Sequence, residues 1–334
     1  MDTQQRIEAL VRLGDYLLEN GEAWQAAVQA AGRENGWFTP ESVHTAARHI
    51  AHAYLEKSKL ESWLAAYNLP EHMVTVGIVM AGNIPLVGFH DFLCGFLSGH
   101  RLRLKLSSKD RVLMTHLLRK LEEWEPDTKA QIELAEMLKG CDAYIATGSN
   151  NTARYFEQYF GKYPSIIRRN RTSIAILDGA ETEEELRALG EDVFSYFGLG
   201  CRNVTQLCVP EDYDFSPLLG VFEAWKWLTD HNKYRNNYDY HLALFLLNRV
   251  PHLDNGCTLL TQNDLPFSAV SVLHFRRYDE RMALMEEMRR SADIQAIIGH
   301  DALPFGTAQQ PVLGDYADGV DTMRFLCSLG GAHQ

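Results

Sequence analysis

From residue 74 onward, short apolar runs closed by glycine, serine or asparagine alternate with amphipathic stretches, and this alternation restricts the fold more than any other feature of the chain. Residues 74–80 predict an apolar strand that runs into Ala81-Gly82-Asn83-Ile84-Pro85-Leu86, and an apolar helix follows through Leu97. Residues 102–106 predict a second strand, ending in Lys105-Leu106-Ser107-Ser108-Lys109-Asp110 before a helix over 112–124. Residues 143–146 predict a third, closed by Thr147-Gly148-Ser149 and followed by another helix, and residues 173–177 a fourth. Strands that alternate with helices form a parallel sheet covered on both faces, whose ligand site lies at the carboxyl ends of the strands. Asn83, Lys105, Thr147, Gly148 and Ser149 all fall at such ends. Before residue 70 the pattern is helical, with Ile7, Leu10, Leu13 and Leu17 on one stripe and one longer segment over 42–67.

The stretch Tyr196-Phe197-Gly198-Leu199-Gly200-Cys201-Arg202-Asn203 places a cysteine after two glycines where a helix hands over to a strand. Thr182 and Glu185 read as a capping box, and Leu186, Leu189, Val193 and Phe197 as the apolar stripe of a helix that Gly198 and Gly200 end. Val204, Leu207 and Val209 before Pro210 predict a buried strand. Glycines there permit positive φ and close approach of a ligand to the backbone, so Cys201 has the setting of a nucleophile. The other reading is a small, inert core thiol. The chain holds six cysteines, spaced far apart with no Cys-x-x-Cys pair, which fits reduced thiols better than a disulfide framework or a zinc site. His49 and His52 share a helix face while His44 lies to one side, and with no carboxylate at hand no metal is expected.

At 334 residues the chain is long for one domain, so two interlocked α/β lobes are expected. After Cys201 the pattern loosens: helices over 217–229 and 240–247, a strand over 269–275, a helix over 280–290 and a strand over 294–298. The turn Leu303-Pro304-Phe305-Gly306-Thr307 opens a tail in which residues 323–326 suggest an added edge strand. A net charge of -12 offers no general attraction for nucleic acid or an anionic membrane. The first residues carry acids and no continuous apolar run, so neither a signal peptide nor a membrane span is expected and the cytoplasm is the default location. The Asn-x-Thr triplets at Asn150, Asn170 and Asn203 are then chance matches.

Taken in order, these strand-end residues resemble the aldehyde dehydrogenase superfamily, and more closely its acyl-CoA reductase branch, the LuxC-like fatty acyl reductases. Similarity runs over residues 74–326. Asn83-Ile84-Pro85-Leu86 is similar to the family's Asn-Phe-Pro-Leu turn, which supplies the oxyanion amide. Lys105-Leu106-Ser107 resembles its cofactor lysine motif, Thr147-Gly148-Ser149 its dinucleotide turn, Gly200-Cys201 its nucleophile and Pro304-Phe305-Gly306 its late turn. The resemblance implies a helical N-terminus and two Rossmann-like lobes with parallel sheets. Residues 1–197 would hold the helices and the NAD(P)-binding lobe, 198–302 the catalytic lobe and 303–334 a C-terminal return segment.

The chain departs from aldehyde-oxidising members in one place that bears on chemistry. Their Glu-Leu-Gly-Gly segment, whose glutamate activates the hydrolytic water, is replaced by Arg168-Arg169-Asn170-Arg171-Thr172-Ser173. Less material also precedes Asn83 than in typical relatives, so the family's oligomerisation arm is expected to be reduced or absent, and a homo-oligomer stays open. The resemblance implies NAD(P)H-dependent reduction of an acyl-CoA, fatty acyl by its branch, to the aldehyde through an acyl-enzyme on Cys201, coenzyme A being the leaving group. Without the glutamate, water competes poorly for that intermediate. An acyltransferase or thioesterase using the same cysteine, and a non-catalytic binding member, are the alternatives. Lys105 as cofactor contact competes with a solvated charge, and Asn83 as oxyanion donor with a turn residue. The basic run 168–171 is either an exposed face or a seat for coenzyme A phosphates. In NAD-preferring relatives a glutamate follows three residues after the cofactor lysine; here that place is Ser108, which favours NADPH over NADH unless Ser108 merely caps the next helix.

Overall fold

The computed structural model describes residues 1–329, which form two compact units. The first unit, Met1–Asn170 with the stretch from Pro311, opens on four helices: α1 (Thr3–Glu19), α2 (Glu22–Glu34), α3 (Pro40–Tyr54) and α4 (Lys57–Leu64). The segment expected as one helix over 42–67 is therefore two. Leu55 leaves helical geometry at φ −111° and ψ 5°, and Glu56 is extended, so the chain turns there before α4.

A five-stranded parallel sheet follows, built from β1 (Thr75–Val79), α5 (Phe89–Ser98), β2 (Arg101–Lys105), α6 (Arg111–Trp124), α7 (Thr128–Gln131), β3 (Ile132–Leu134), β4 (Ala143–Thr147), α8 (Asn150–Phe160) and β5 (Ser165–Arg168). Its strand order is β3-β2-β1-β4-β5, with every pairing parallel. Ile78 and Leu104 on the sheet pack with Phe89, Phe92 and Phe96 of α5 and with Leu10, Leu13 and Trp24 of the N-terminal helices in one core. The helices that precede the sheet thus cover it rather than forming a separate body.

The second unit, Arg171–Gln310, contains β6 (Thr172–Ile176), α9 (Glu183–Phe194), β7 (Val204–Pro210), α10 (Ser216–Phe222), α11 (Asn232–Asn248), β8 (Leu253–Asp254), β9 (Leu259–Gln262), β10 (Val272–Tyr278), α12 (Arg281–Arg290) and β11 (Ile294–Ile298). Its sheet runs β11-β6-β7-β10-β9-β8, parallel except for the short edge strand β8. The expected lobe boundary after residue 197 lies inside this unit. β6 is the fourth strand of the sequence pattern, but its ladder partners are β7 and β11, so it and α9 belong to the second sheet.

From Pro311 the chain returns to the first unit and ends its described part in α13 (Thr322–Ser328). Residues 323–326 are thus helical, not an edge strand. Asp321 caps the helix by accepting the Arg324 N–H at 2.8 Å, and Met323 and Leu326, three apart on one face, are fully buried. The last five residues of the expected 303–334 segment lie outside the described residues.

The basic run is not one common exposed face. Arg168 is buried at the end of β5, where Nη1 donates to Asp91 Oδ2 at 2.5 Å and Nη2 to Thr322 Oγ1 at 2.7 Å. A buried guanidinium needs such partners, because desolvation without them costs several kcal/mol. Arg169 pairs with Glu157, and Arg171 donates to the Ile294 carbonyl.

Candidate active site

In the first unit the strand order places the carboxyl ends of β2, β1 and β4 side by side, with the reversal of order at β1. Such a switch point is where open α/β sheets take their ligands. Asn83 follows β1, Lys105 ends β2, and Thr147, Gly148 and Ser149 follow or end β4, so all the strand-end candidates of this unit share one edge of one sheet. Asn83 is half-buried, while Lys105, Ser108, Lys109 and Ser149 are exposed. Ser149 caps α8, its Oγ accepting the Thr152 N–H at 3.3 Å. Ser108 does not cap α6: Asp110 holds that position.

Two contacts tie the Asn83 turn to the segment after β2. A Cβ on Gly82 would lie 2.6 Å from Cβ and Oγ of Ser107, so only glycine fits. Leu86, at φ +58°, donates its N–H to Asp110 Oδ2 at 2.6 Å. Asp110 was not foreseen as a site residue. Burial pushes its carboxyl up to about 8, against the opposing effect of the Leu86 hydrogen bond.

That shift has a sign. A carboxyl whose folded pKa lies above its unfolded value stabilises the fold fully below the unfolded value, near 4, and loses the contribution as pH rises through about 8. Between pH 6.5 and 9 wild type should lose roughly 2 kcal/mol that Asp110→Asn, whose amide oxygen still accepts from Leu86, does not lose. Urea unfolding of both proteins at the two pH values checks this; parallel losses would show that Asp110 is already ionised at pH 6.5.

In the second unit Cys201 sits between a 3₁₀ turn, Ser195–Gly198, and β7. α9 ends at Phe194, earlier than its apolar stripe suggests, and Tyr196, Phe197 and Gly198 all adopt positive φ (53°, 59° and 75°). At this point Asn203 Nδ2 donates to the carbonyls of Asp192, Val193 and Ser195 at 3.1, 3.2 and 2.9 Å. A helix leaves its last carbonyls unpaired, and here one side chain caps two of them together with the first carbonyl of the turn that follows. The capping box at the other end is as the sequence indicates, with Glu185 N–H on Thr182 Oγ1 at 3.2 Å and Thr182 N–H on Glu185 Oε2 at 2.8 Å.

Cys201 and Arg202 are half-buried on this loop, and Ser173 Oγ donates to the Cys201 carbonyl at 3.2 Å. The other thiols differ. Burial raises the pKa of Cys94, Cys141, Cys257 and Cys327, and that of Cys208 to about 12. A raised pKa leaves less thiolate near neutral pH, and the thiolate is the nucleophile.

His44, His49 and His52 do not converge. His49 Nε2 is 2.9 Å from the Pro311 carbonyl, and His52 lies 3.7 Å from Glu56. Among the described residues one trio with metal-ligand atoms within 4.8 Å of each other occurs, Asp178, Glu181 and His300. Its side chains are engaged within the protein: His300 bridges Asp178 and Glu185 at 2.8 and 3.0 Å, Arg281 pairs with Asp178 at 3.3 Å, and Glu181 accepts the Asp178 N–H at 2.6 Å. Among the described residues no helix is long and apolar enough to cross a membrane.

Residues 37–213 match the model of a protein family described as acyl-CoA reductase (LuxC). No curated protein matches the chain. Solved structures do. HpcC from Thermus thermophilus superimposes with a TM-score of 0.66 at 14% identity, over 89% of this chain and 70% of that one. Aldehyde dehydrogenase 21 from Physcomitrella patens, in complex with succinate, gives 0.66 at 14% identity over 90% and 74%. The indole-3-acetaldehyde dehydrogenase AldA of P. syringae, in complex with NAD+ and IAA, gives 0.64 at 13% identity over 89% and 72%. At these identities the likeness is one of fold, the aldehyde dehydrogenase-like arrangement that the strand-end motifs had indicated.

Proposed function

Since the chain belongs to the LuxC family of acyl-CoA reductases, oxidoreductases of the aldehyde dehydrogenase superfamily, we propose that it reduces a fatty acyl-CoA to the aldehyde through a covalent intermediate on Cys201, with NADPH as reductant. The observation that carries the cysteine assignment is its place: Cys201 stands half-buried on a pinned loop, whereas Cys94, Cys141, Cys208 and Cys257 are buried and the half-buried Cys327 lies within α13.

The Cys201 thiolate attacks the thioester carbonyl carbon, and the charge that develops on the oxygen is assigned to the Asn83 side-chain amide and the Cys201 N–H. One such donor is worth about 3 kcal/mol in other oxyanion holes. Collapse breaks the bond to the coenzyme A sulfur, which leaves as a thiolate and takes up a proton. The acyl group is then held as a thioester on Cys201. The reduced nicotinamide, when bound, supplies the hydride that this carbonyl carbon accepts. The same donors hold the alkoxide, and its collapse releases the aldehyde and returns the Cys201 thiolate. The segment 168–173 supplies no carboxylate to activate water, and Arg168 there is engaged by Asp91, so hydrolysis has no general base from this stretch.

The cofactor fits the exposed edge of the first sheet. Lys105 and Lys109 offer charge, Gly148 brings the backbone close, and the N-terminus of α8 offers amide N–H groups to a phosphate. A serine at 108 donates to a 2′-phosphate where a glutamate would repel it, and Ser108 is exposed and not engaged as the α6 cap. Ser108→Glu should therefore weaken NADPH about tenfold or more while changing NADH little. Titration of both cofactors against both proteins checks it; equal effects would remove Ser108 from the 2′ position.

Following NADPH absorbance and thiol release together, with a fatty acyl-CoA present and aldehyde scored, tests the whole reading. Equal consumption of NADPH and release of thiol is expected. Thiol release without NADPH consumption would instead identify a thioesterase or acyltransferase.

A further inference from the structure

Asn203 and Asp192 form a buried polar network that ends on the Cys201 loop. Both side chains are fully enclosed. Asn203 Oδ1 accepts the Gly200 N–H at 2.7 Å, while its Nδ2 holds the end of α9. The Asn203 N–H in turn donates to the Gly200 carbonyl at 3.1 Å. Asp192, on the last turn of α9, carries the network onward: Oδ2 accepts the Gly306 N–H at 2.7 Å and Oδ1 the Ala308 N–H at 2.9 Å. The turn it holds is Pro304-Phe305-Gly306, with Gly306 at φ +81°, a conformation few other residues adopt.

The geometry fixes both peptide planes beside Cys201. A peptide group is planar and trans, so tying down its carbonyl also sets the direction of its N–H. The Gly200 carbonyl is held by the Asn203 backbone N–H, which aims the Cys201 N–H, and the Asn203 side chain fixes the preceding Leu199–Gly200 peptide through the Gly200 N–H; the Cys201 carbonyl is held by Ser173. With both planes set, the Cα–Cβ bond of Cys201 has one direction. We propose that Asn203 and Asp192 are positioning residues for Cys201, joining the 304–308 turn, the end of α9 and the Leu199–Gly200 peptide that leads into Cys201 into one body that aims the thiol and the adjoining N–H at the substrate carbonyl. This rests on the assignment of Cys201 as the nucleophile.

Two variants test it. Asn203→Asp keeps an acceptor for Gly200 but puts an oxygen against the Asp192, Val193 and Ser195 carbonyls. Asp192→Asn, remote from the loop, gives up one of the two acceptors for the turn. In each, single-turnover acylation by palmitoyl-CoA and kcat should both fall about tenfold or more with KM within about twofold, since small misplacements of a reacting group are expensive. Alkylation by iodoacetamide, which needs a thiolate but no aimed carbonyl, should stay within about twofold. That split is one a merely structural role would not produce. Acylation and alkylation that are unchanged, or that fall together with the folded fraction, overturn the proposal. If Asn203→Asp does not fold, Asp192→Asn decides alone by the same criterion. Mass spectrometry of acylated wild type separates the two levels: absence of an adduct on Cys201 overturns the nucleophile assignment, whereas an adduct that forms equally fast in the variants overturns positioning only.

Discussion

Cys201→Ala is expected to abolish aldehyde formation, lowering the rate by about 10⁴-fold or more, the scale on which loss of a covalent nucleophile is felt elsewhere. Cys208 and Cys257 are enclosed and held protonated, and burial raises Cys327 as well. The fold should survive. Cys201 is half-buried on a loop, and the hydrogen bond it makes to Ser173 Oγ uses its carbonyl, which alanine retains. A melting temperature within about 3 °C of wild type is therefore expected, by the usual scale for changes outside a core. Wild type mixed with acyl-CoA and no cofactor should carry a hydroxylamine-sensitive acyl adduct on Cys201. An adduct on Cys208 or Cys257 would sink the assignment.

The sequence shows what a residue does to its own neighbourhood better than which distant partner it will have. The strands at 74–80, 102–106 and 143–146 and the helices between them are legible because each carries its own period, and they reappear as β1, β2 and β4. β3 was missed because it is only three residues long and largely exposed, so it shows no apolar run. β5 was missed for a different reason. Its last residue is Arg168, and a cation in sequence reads as surface; only the fold supplies Asp91 and Thr322, seventy-seven and 154 residues away, that let it be buried. The lobe boundary failed in the same way. β6 continues the alternation that β1 began, and nothing local says that its ladder lies in the other sheet.

Among site residues the division is alike. The glycine turns announce themselves by composition, whereas the side chains that hold those turns do not. Asn203 looks like part of an Asn-x-Thr triplet, and Asp192 and Asp110 carry no signal that sets them apart from other acids of the chain. Each acquires its role from backbone groups brought close by folding: Gly200 and the end of α9 for Asn203, the 304–308 turn for Asp192, and Leu86 for Asp110.

Replacement of Asn83 by alanine is expected to lower kcat by roughly 10²–10³-fold, the cost of removing one oxyanion donor, with little change in the affinity for cofactor. The backbone should stay in place, because the turn is clamped on both sides of Asn83. Gly82 lies against Ser107 with no room for a Cβ, and the Leu86 N–H is bound to Asp110 at 2.6 Å. Neither clamp uses the Asn83 side chain. Asn83→Asp keeps the shape but removes the amide donor and adds a charge that repels an oxyanion, so it should be at least as inactive as alanine. A role confined to the turn predicts the reverse order, since aspartate serves turns nearly as well as asparagine and alanine does not. The ranking of the two variants, read as kcat at equal melting temperature, therefore decides between a donor and a turn residue: aspartate near wild type with alanine impaired would remove Asn83 from the oxyanion hole.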